Sequence, residues 1–274
     1  MSADRLAALD AVREACVAGD GVDPLDEAVA LALKHHGLDG ADLWAEDGGF
    51  ALVRDEELTL AVAPQARGRG IGRRLAQKAT ETGTAQRAWS HGGHPAAARL
   101  ADELGWTATR DLWVLRRPTA EPLPALEVPD GISIRGYTAA DADQVLAVNA
   151  AAFAHHPEQG SLDAAGLAQR MAEPWFDPAG LILATEGETL LGFHWTKQHS
   201  PDLGEVYVVA VGPAAQGRGL GKTLTLAGLH HLAGLGVAEI LLYVESDNAP
   251  AVHVYTALGF THAARDTHVQ YSRH

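Results

Sequence analysis

A ten-residue stretch occurs twice in this chain. Pro64-Gln65-Ala66-Arg67-Gly68-Arg69-Gly70-Ile71-Gly72-Arg73 returns as Pro213-Ala214-Ala215-Gln216-Gly217-Arg218-Gly219-Leu220-Gly221-Lys222, with Arg67 and Gln216 standing 149 residues apart. A second pair of landmarks follows: Glu103-Leu104-Gly105-Trp106-Thr107 answers Ala257-Leu258-Gly259-Phe260-Thr261 at a spacing of 154 residues. The small difference between the two spacings is ordinary loop variation. A period this long marks a duplicated domain, because solenoid repeats run at a few tens of residues. The 274 residues therefore divide into two domains of ordinary size.

Each copy sits between a strand and a helix. Residues 58–62 and 205–211 are rich in β-branched and apolar side chains, which suits buried strands. Helical spacing resumes at Ile71 and at Thr223. Strand, glycine turn and helix start aim several backbone N–H groups and a helix N-terminus at one point, where a phosphate can sit. Glycines let the backbone approach such a ligand with no Cβ in the way. Neither the Gly-x-x-x-x-Gly-Lys-Ser/Thr loop nor the dinucleotide fingerprint with its ribose-binding acid is present. The net charge is −14, so the clusters Arg67, Arg69, Arg73, Arg74 and Arg218, Lys222 stand out as basic loops in an acidic protein and point to an anionic ligand. The same charge weighs against nonspecific nucleic-acid binding.

Hydrophobic content of 47% supplies real cores, yet no run approaches the ~18 apolar residues of a membrane span. The start, Met1-Ser2-Ala3-Asp4-Arg5, has no signal-peptide apolar region. Cys16 is the one cysteine, which excludes an internal disulfide and a cysteine metal site. The adjacent pairs His155-His156 and His230-His231 lack metal-ligand spacing, so no metal is expected. These features fit a cytoplasmic protein without nucleic-acid or membrane partners, and a monomer is expected.

The chain reads in three segments. Residues 1–117 carry helices at 3–17 and 26–34, short strands at 43–44 and 49–53, the strand 58–62, a helix at 71–82, a strand at 86–90, a helix at 95–104 that stops at Gly105, and a strand at 107–116. Residues 118–131 hold four prolines within twelve residues and form an extended linker. Residues 132–274 repeat the plan, with strands at 132–135, 181–185, 190–196, 205–211, 239–244 and within 261–271, and helices at 138–152, 162–171, from 223, and at 249–258. Gly187 marks a hairpin between the second and third of these strands. The fold class is α/β, with a mixed sheet and helices on both faces in each half.

The pattern Gln216-x-x-Gly219-x-Gly221, present twice with Arg67 in the second case, resembles the acetyl-CoA pyrophosphate loop of the GNAT superfamily of N-acetyltransferases. A second signature of that superfamily, Asn-x-x-Ala-x-x-x-Tyr followed closely by Gly-Phe, is matched by Asn248, Ala251, Tyr255, Gly259 and Phe260. The resemblance implies two tandem GNAT (acyl-CoA N-acyltransferase) domains. It implies that acetyl-CoA, up to one per domain, is held by Val209, Ala210, Val211, by 216–222, and by Asn248, Ala249, Pro250, Ala251, Val252 and His253. In the first half the corresponding set is Leu60, Ala61, Val62 and 67–73. By the same resemblance Tyr255 is the acid that protonates the departing thiolate.

Glu205 is out of place by propensity within a β-rich segment, which suits a general base for an amine. The first half keeps the glycine loop and, by the 149-residue offset, a carboxylate at Glu56. It has Ala101 where the tyrosine stands and His94 where Asn248 stands. It is expected to bind acetyl-CoA without catalysing.

The second half resembles something narrower. Its segments 149–160, 175–181, 192–197 and 242–248 are similar to a tandem GNAT family that acetylates the cysteinyl amine of cysteinyl-glucosaminyl-inositol. That resemblance implies that Glu158, Lys197, Glu205 and Tyr243 bind the acceptor, with Glu27 contributed by the first half. Carboxylates and a lysine suit a substrate rich in hydroxyls with one free amine. The residues by themselves leave open acetylation of another small amine or a peptide N-terminus, and an acetyl-CoA sensor without turnover.

Overall fold

The computed structural model describes residues 2–81, 84–154 and 159–273. The chain forms two compact units: residues 1–113 with 245–247 and 263–274, and residues 114–244 with 248–262.

In the first unit, α1 (Ser2–Asp20) and α2 (Glu27–His36) precede a meander of β1 (Ala41–Glu46), β2 (Gly49–Arg54) and β3 (Glu57–Val62). All three strands are antiparallel, Arg54 standing opposite Glu57 across a two-residue turn. Asp26 caps α2, its carboxylate accepting the Val29 N–H at 2.7 Å. β2 is an unbroken apolar run because both its faces are covered. Leu9, Val12 and Cys16 of α1 join Phe50 and Leu52 in one buried cluster with Leu75 and Ala79 of α3 (Ile71–Glu81). β4 (Arg87–Ser90) runs parallel to β3, followed by α4 (Pro95–Glu103) and β5 (Trp106–Pro118). The C-terminal residues of β11 (Thr261–Arg273) complete this unit, with Val269–Ser272 antiparallel to β4. Residues 245–247 belong here too: Arg110 grips the Glu245 carboxylate, and Ser246 N–H donates to Asp111 O at 2.9 Å.

The second unit repeats the plan. β6 (Ser133–Gly136), α5 (Ala142–Ala152) and α6 (Ala164–Met171) lead into β7 (Leu181–Glu186), β8 (Thr189–Ser200) and β9 (Leu203–Val211). Gly187 turns the β7–β8 hairpin with φ of 60°. α7 (Leu220–Gly234), β10 (Glu239–Glu245) and α8 (Ala249–Ala257) follow. The strand order is β10-β9-β8-β7-β6, with β10 parallel to β9 and the other pairs antiparallel. Phe193, Trp195, Val208 and Ala210 pack toward α5 and α6, whereas Val209 and Val211 pack toward Leu220 and Leu224 of α7.

Residues 119–131 of the proline-rich segment have no helix or strand, as their composition requires, but the segment is anchored. Buried Arg117 donates from Nε to Leu258 O at 2.8 Å and from Nη2 to Glu121 O at 2.6 Å. Thr223 Oγ1 donates to Glu127 O at 3.2 Å. These bonds fix residues 117–127 on the second unit. Among the described residues no helix is long and apolar enough to cross a membrane.

Candidate active site

The site begins where two parallel strands part. β9 and β10 pair from Leu203 with Glu239 to Val206 with Leu242, and no further, although β9 continues to Val211. Beyond Val206 the edge of β9 that would face β10 has no ladder partner there, so its backbone groups are available to a ligand. The register against β8 jumps at the same place, from Trp195 opposite Val208 to Thr196 opposite Val206. Tyr207 is the extra residue, and such a bulge bends a strand and re-aims its side chains.

The glycine turn follows β9. Gly217 and Gly219 hold φ of 78° and 77°, a left-handed conformation that costs other residues about 1 kcal/mol or more. Gly219 caps α7, whose first helical bond runs from Thr223 N–H to Gly219 O. The N–H groups ahead of Thr223 in α7 thus have no intrahelical acceptor. A Cβ added at Gly217, Gly219 or Gly221 would meet no atom within 4 Å, so the cradle is open.

A cleft of about 380 Å³ joins these parts. Val209, Ala210 and Val211 of β9, Gln216 and Gly221 of the turn, and Asn248, Pro250, Ala251 and Tyr255 of α8 all line it. Ala152 and Phe153 at the end of α5, Thr225 of α7 and Val254 of α8 complete the wall. Asn248 caps α8, its Oδ1 accepting the Ala251 N–H at 3.2 Å. The Tyr255 ring packs edge-on against Phe260 at 5.9 Å, and burial pushes the phenol pKa up to about 12. An unpaired strand edge, an open glycine cradle and a helix N-terminus fit a pantetheine arm and a pyrophosphate, so acetyl-CoA suits this cleft. Gly217, Arg218, Gly219, Leu220, Lys222, Ala249, Val252 and His253 do not line the cleft. Leu220 is buried, and Arg218 pairs with Glu186 at 2.7 Å.

A second cavity of about 390 Å³ is lined by Pro174, Trp175, Lys197, Gln198 and His199. The Lys197 ammonium lies 4.8 Å from the Trp175 ring centre and 5.3 Å from that of Tyr207, close enough for cation–π attraction. Arg170 Nε donates to the Tyr207 hydroxyl at 2.9 Å. Glu205 is 5% exposed and stands opposite Lys197 on β8 and Leu241 on β10. His199 Nε2 lies 2.6 Å from Glu205 Oε2. Tyr243 is exposed on β10, two residues beyond Leu241. Glu27 opens α2 in the first unit. Glu158 lies outside the described residues.

The first unit reproduces the backbone of this site. Gly68 and Gly70 hold φ of 77° and 75°, α3 starts at Ile71, and β3 pairs with β4 only at Glu57 and Leu58. Its surroundings differ. Arg67 forks onto Asp20 of α1 and donates from Nε to Val62 O at 3.0 Å. Cys16 Sγ also reaches Val62 O, at 3.7 Å. Arg73 pairs with Glu103 at 3.3 Å and Arg74 with Glu46 at 2.7 Å. His94 caps α4 as Asn248 caps α8, and Ala101 is buried at the tyrosine position.

Glu56 does not stand where Glu205 stands in the second unit. Glu56 lies in the β2–β3 turn with φ of 64°, its carboxylate 3.7 Å from Arg87. Its carbonyl accepts the Arg87 N–H that starts β4, just as Asp202 O accepts the Glu239 N–H that starts β10. Glu56 therefore matches Asp202, and Thr59 matches Glu205. The offset misleads because β3 has six residues and β9 has nine.

Comparison with known proteins agrees with this geometry. The acetyltransferase (GNAT) family model matches residues 42–106 and 150–260. A mycothiol acetyltransferase of Nocardioides sp. is 59% identical over 99% of both chains. One from Nocardia farcinica is 49% identical over 94% of this chain and 92% of its own. Among solved structures, a GCN5-related N-acetyltransferase from Sphaerobacter thermophilus superposes with a TM-score of 0.70 at 24% identity, covering 97% of this chain and 91% of that one. A tandem GNAT protein of the clavulanic acid biosynthesis pathway gives 0.63 at 20% identity, covering 89% and 86%. At such identities these two likenesses speak for the fold alone. Motifs, cleft and relatives agree that the chain belongs to the acetyltransferase (GNAT) family.

Proposed function

We propose that this protein transfers acetyl from acetyl-CoA to the cysteinyl amine of cysteinyl-glucosaminyl-inositol, giving mycothiol, and that the second unit does the chemistry. The observation that carries the reading is the cleft that gathers the free end of β9, the glycine turn and Tyr255 in one wall. The acceptor follows from the named relatives, which match the chain along nearly all its length.

Acetyl-CoA supplies the thioester. Backbone N–H groups of 209–211 polarise its carbonyl, the usual means of stabilising a developing oxyanion. The turn 216–222 holds the pyrophosphate by its N–H groups and by Lys222. Asn248, Pro250 and Ala251 hold the pantetheine arm. Glu205 takes the proton from the acceptor amine, directly or through one water. An α-amine has a reference pKa near 8, so a modest base suffices. The amine nitrogen bonds to the acetyl carbon, the carbon–sulfur bond breaks, and Tyr255 gives its proton to the sulfur. A phenol kept protonated by burial suits that donation. Lys197 and Tyr243 bind acceptor hydroxyls.

The first unit binds a second acetyl-CoA through Leu60 to Val62 and Arg67 to Arg73. It does not catalyse, since Ala101 offers no proton and Thr59 no base. Release of CoA thiol in the presence of cysteinyl-glucosaminyl-inositol, with simple amines as controls, tests the assignment. Turnover on that acceptor alone supports it. Binding of acetyl-CoA without turnover refutes the acceptor.

A further inference from the structure

We infer that His199 is a positioning residue for Glu205: its Nε2–H holds one carboxylate oxygen and leaves the other for the acceptor amine. This rests on the reading of Glu205 as the base. A carboxylate accepts hydrogen bonds and cannot donate, so the 2.6 Å contact places the proton on His199 Nε2. Glu205 is almost fully buried, and a buried carboxylate without a partner is costly. A glutamate has three rotatable bonds, and a second group that fixes its head removes that freedom before the reaction.

The connection is short and stiff. His199 lies near the end of β8 and Glu205 near the start of β9, joined by the tight turn at 200–203. Lys197 and His199 are two residues apart on β8. Both line the cavity of about 390 Å³ beside Trp175. The side chain of His199 is 33% exposed while that of Glu205 is 7% exposed. The imidazole is therefore the more exposed partner of the pair and belongs to the cavity wall that carries Lys197.

The test compares Glu205→Gln, His199→Ala, His199→Gln and the double variant Glu205→Gln/His199→Ala, with folding checked by circular dichroism. His199→Ala is expected to lower kcat about 10- to 100-fold through misplacement of the base. The KM for acetyl-CoA stays within about twofold, since that substrate binds elsewhere. His199→Gln, which keeps an N–H donor, recovers part of the rate and covers the case in which the alanine variant misfolds. The double variant is no slower than Glu205→Gln alone, the signature of two residues acting as a unit. Wild-type kcat in His199→Ala, or independent losses in the double variant, overturns the inference while leaving the base intact. Wild-type turnover in Glu205→Gln instead removes the base. A readout that needs no acceptor accompanies these: the ¹H–¹⁵N resonance of His199 Nε2 shifts in Glu205→Gln. An unshifted resonance overturns the contact itself.

Discussion

Arg67 grips Asp20 in the first glycine turn, where Gln216 in the second turn instead lines an open cleft. The pair is mutual: Asp20 holds the Arg67 pKa up, and the guanidinium holds the Asp20 carboxyl below its usual range. An anion entering the first turn must compete with a carboxylate already in place. Asp20→Ala is therefore expected to tighten acetyl-CoA binding at the first unit about 2- to 5-fold, as expected for losing one partly exposed ion pair. Calorimetric titration resolves the two sites. Unchanged affinity at the weaker site would mean that Arg67 takes no part in binding.

Glu205→Gln keeps the shape of the side chain and removes its basicity. Turnover should fall about 10²- to 10⁴-fold, the range of general-base catalysis, with acetyl-CoA affinity within about twofold. Steady-state kinetics beside equilibrium binding separates the two quantities. Equal turnover in variant and wild type takes Glu205 out of the mechanism.

Tyr255→Phe retains the packing on Phe260 and removes the proton. Acetyl transfer is expected to slow about 10- to 100-fold, less than for the base, because a thiolate is a fair leaving group even unprotonated. Burial holds the phenol near 12, so the wild type should show no loss of donor across the neutral range. A variant as fast as wild type at every pH would leave the acid role unsupported.

Both glycine turns, the Asn248 cap and the tyrosine of α8 could be read from the chain because their chemistry is local: positive φ, capping and helical spacing are properties of short segments. The walls from α5 could not, since Ala152 and Phe153 reach the cleft only through the packing of that helix on β9. His199 escaped for a different reason. Apolar patterning ends β8 at 196, yet the strand runs to Ser200 because Lys197 and Gln198 pair with Glu205 and Gly204. Its signal was present in the alternation of Lys197 and His199, once the partner strand is known. Glu56 was misplaced because strand length and a bulge cannot be counted from a repeat offset.

His194 gives the second unit a built-in sensitivity to acid. Its Nδ1 lies 2.8 Å from Leu224 O, its Nε2 is buried with no hydrogen-bond partner, and Gly228 passes so close that a Cβ there would stand 2.0 Å from the ring. Burial lowers its pKa from 6.5 to about 4, with neighbouring His231 adding to the effect. In the folded state the ring stays neutral, whereas the unfolded chain binds a proton below pH 6.5. The stabilisation is thus complete above 6.5 and is lost progressively as pH falls toward 4. The loss comes to roughly 3 kcal/mol by linkage. His194→Asn, smaller than histidine and without a titrating group, should be less stable at pH 7.5 but flatter between pH 6.5 and 4.5. Urea unfolding at a series of pH values measures both slopes, and parallel curves would assign the acid limb to other groups.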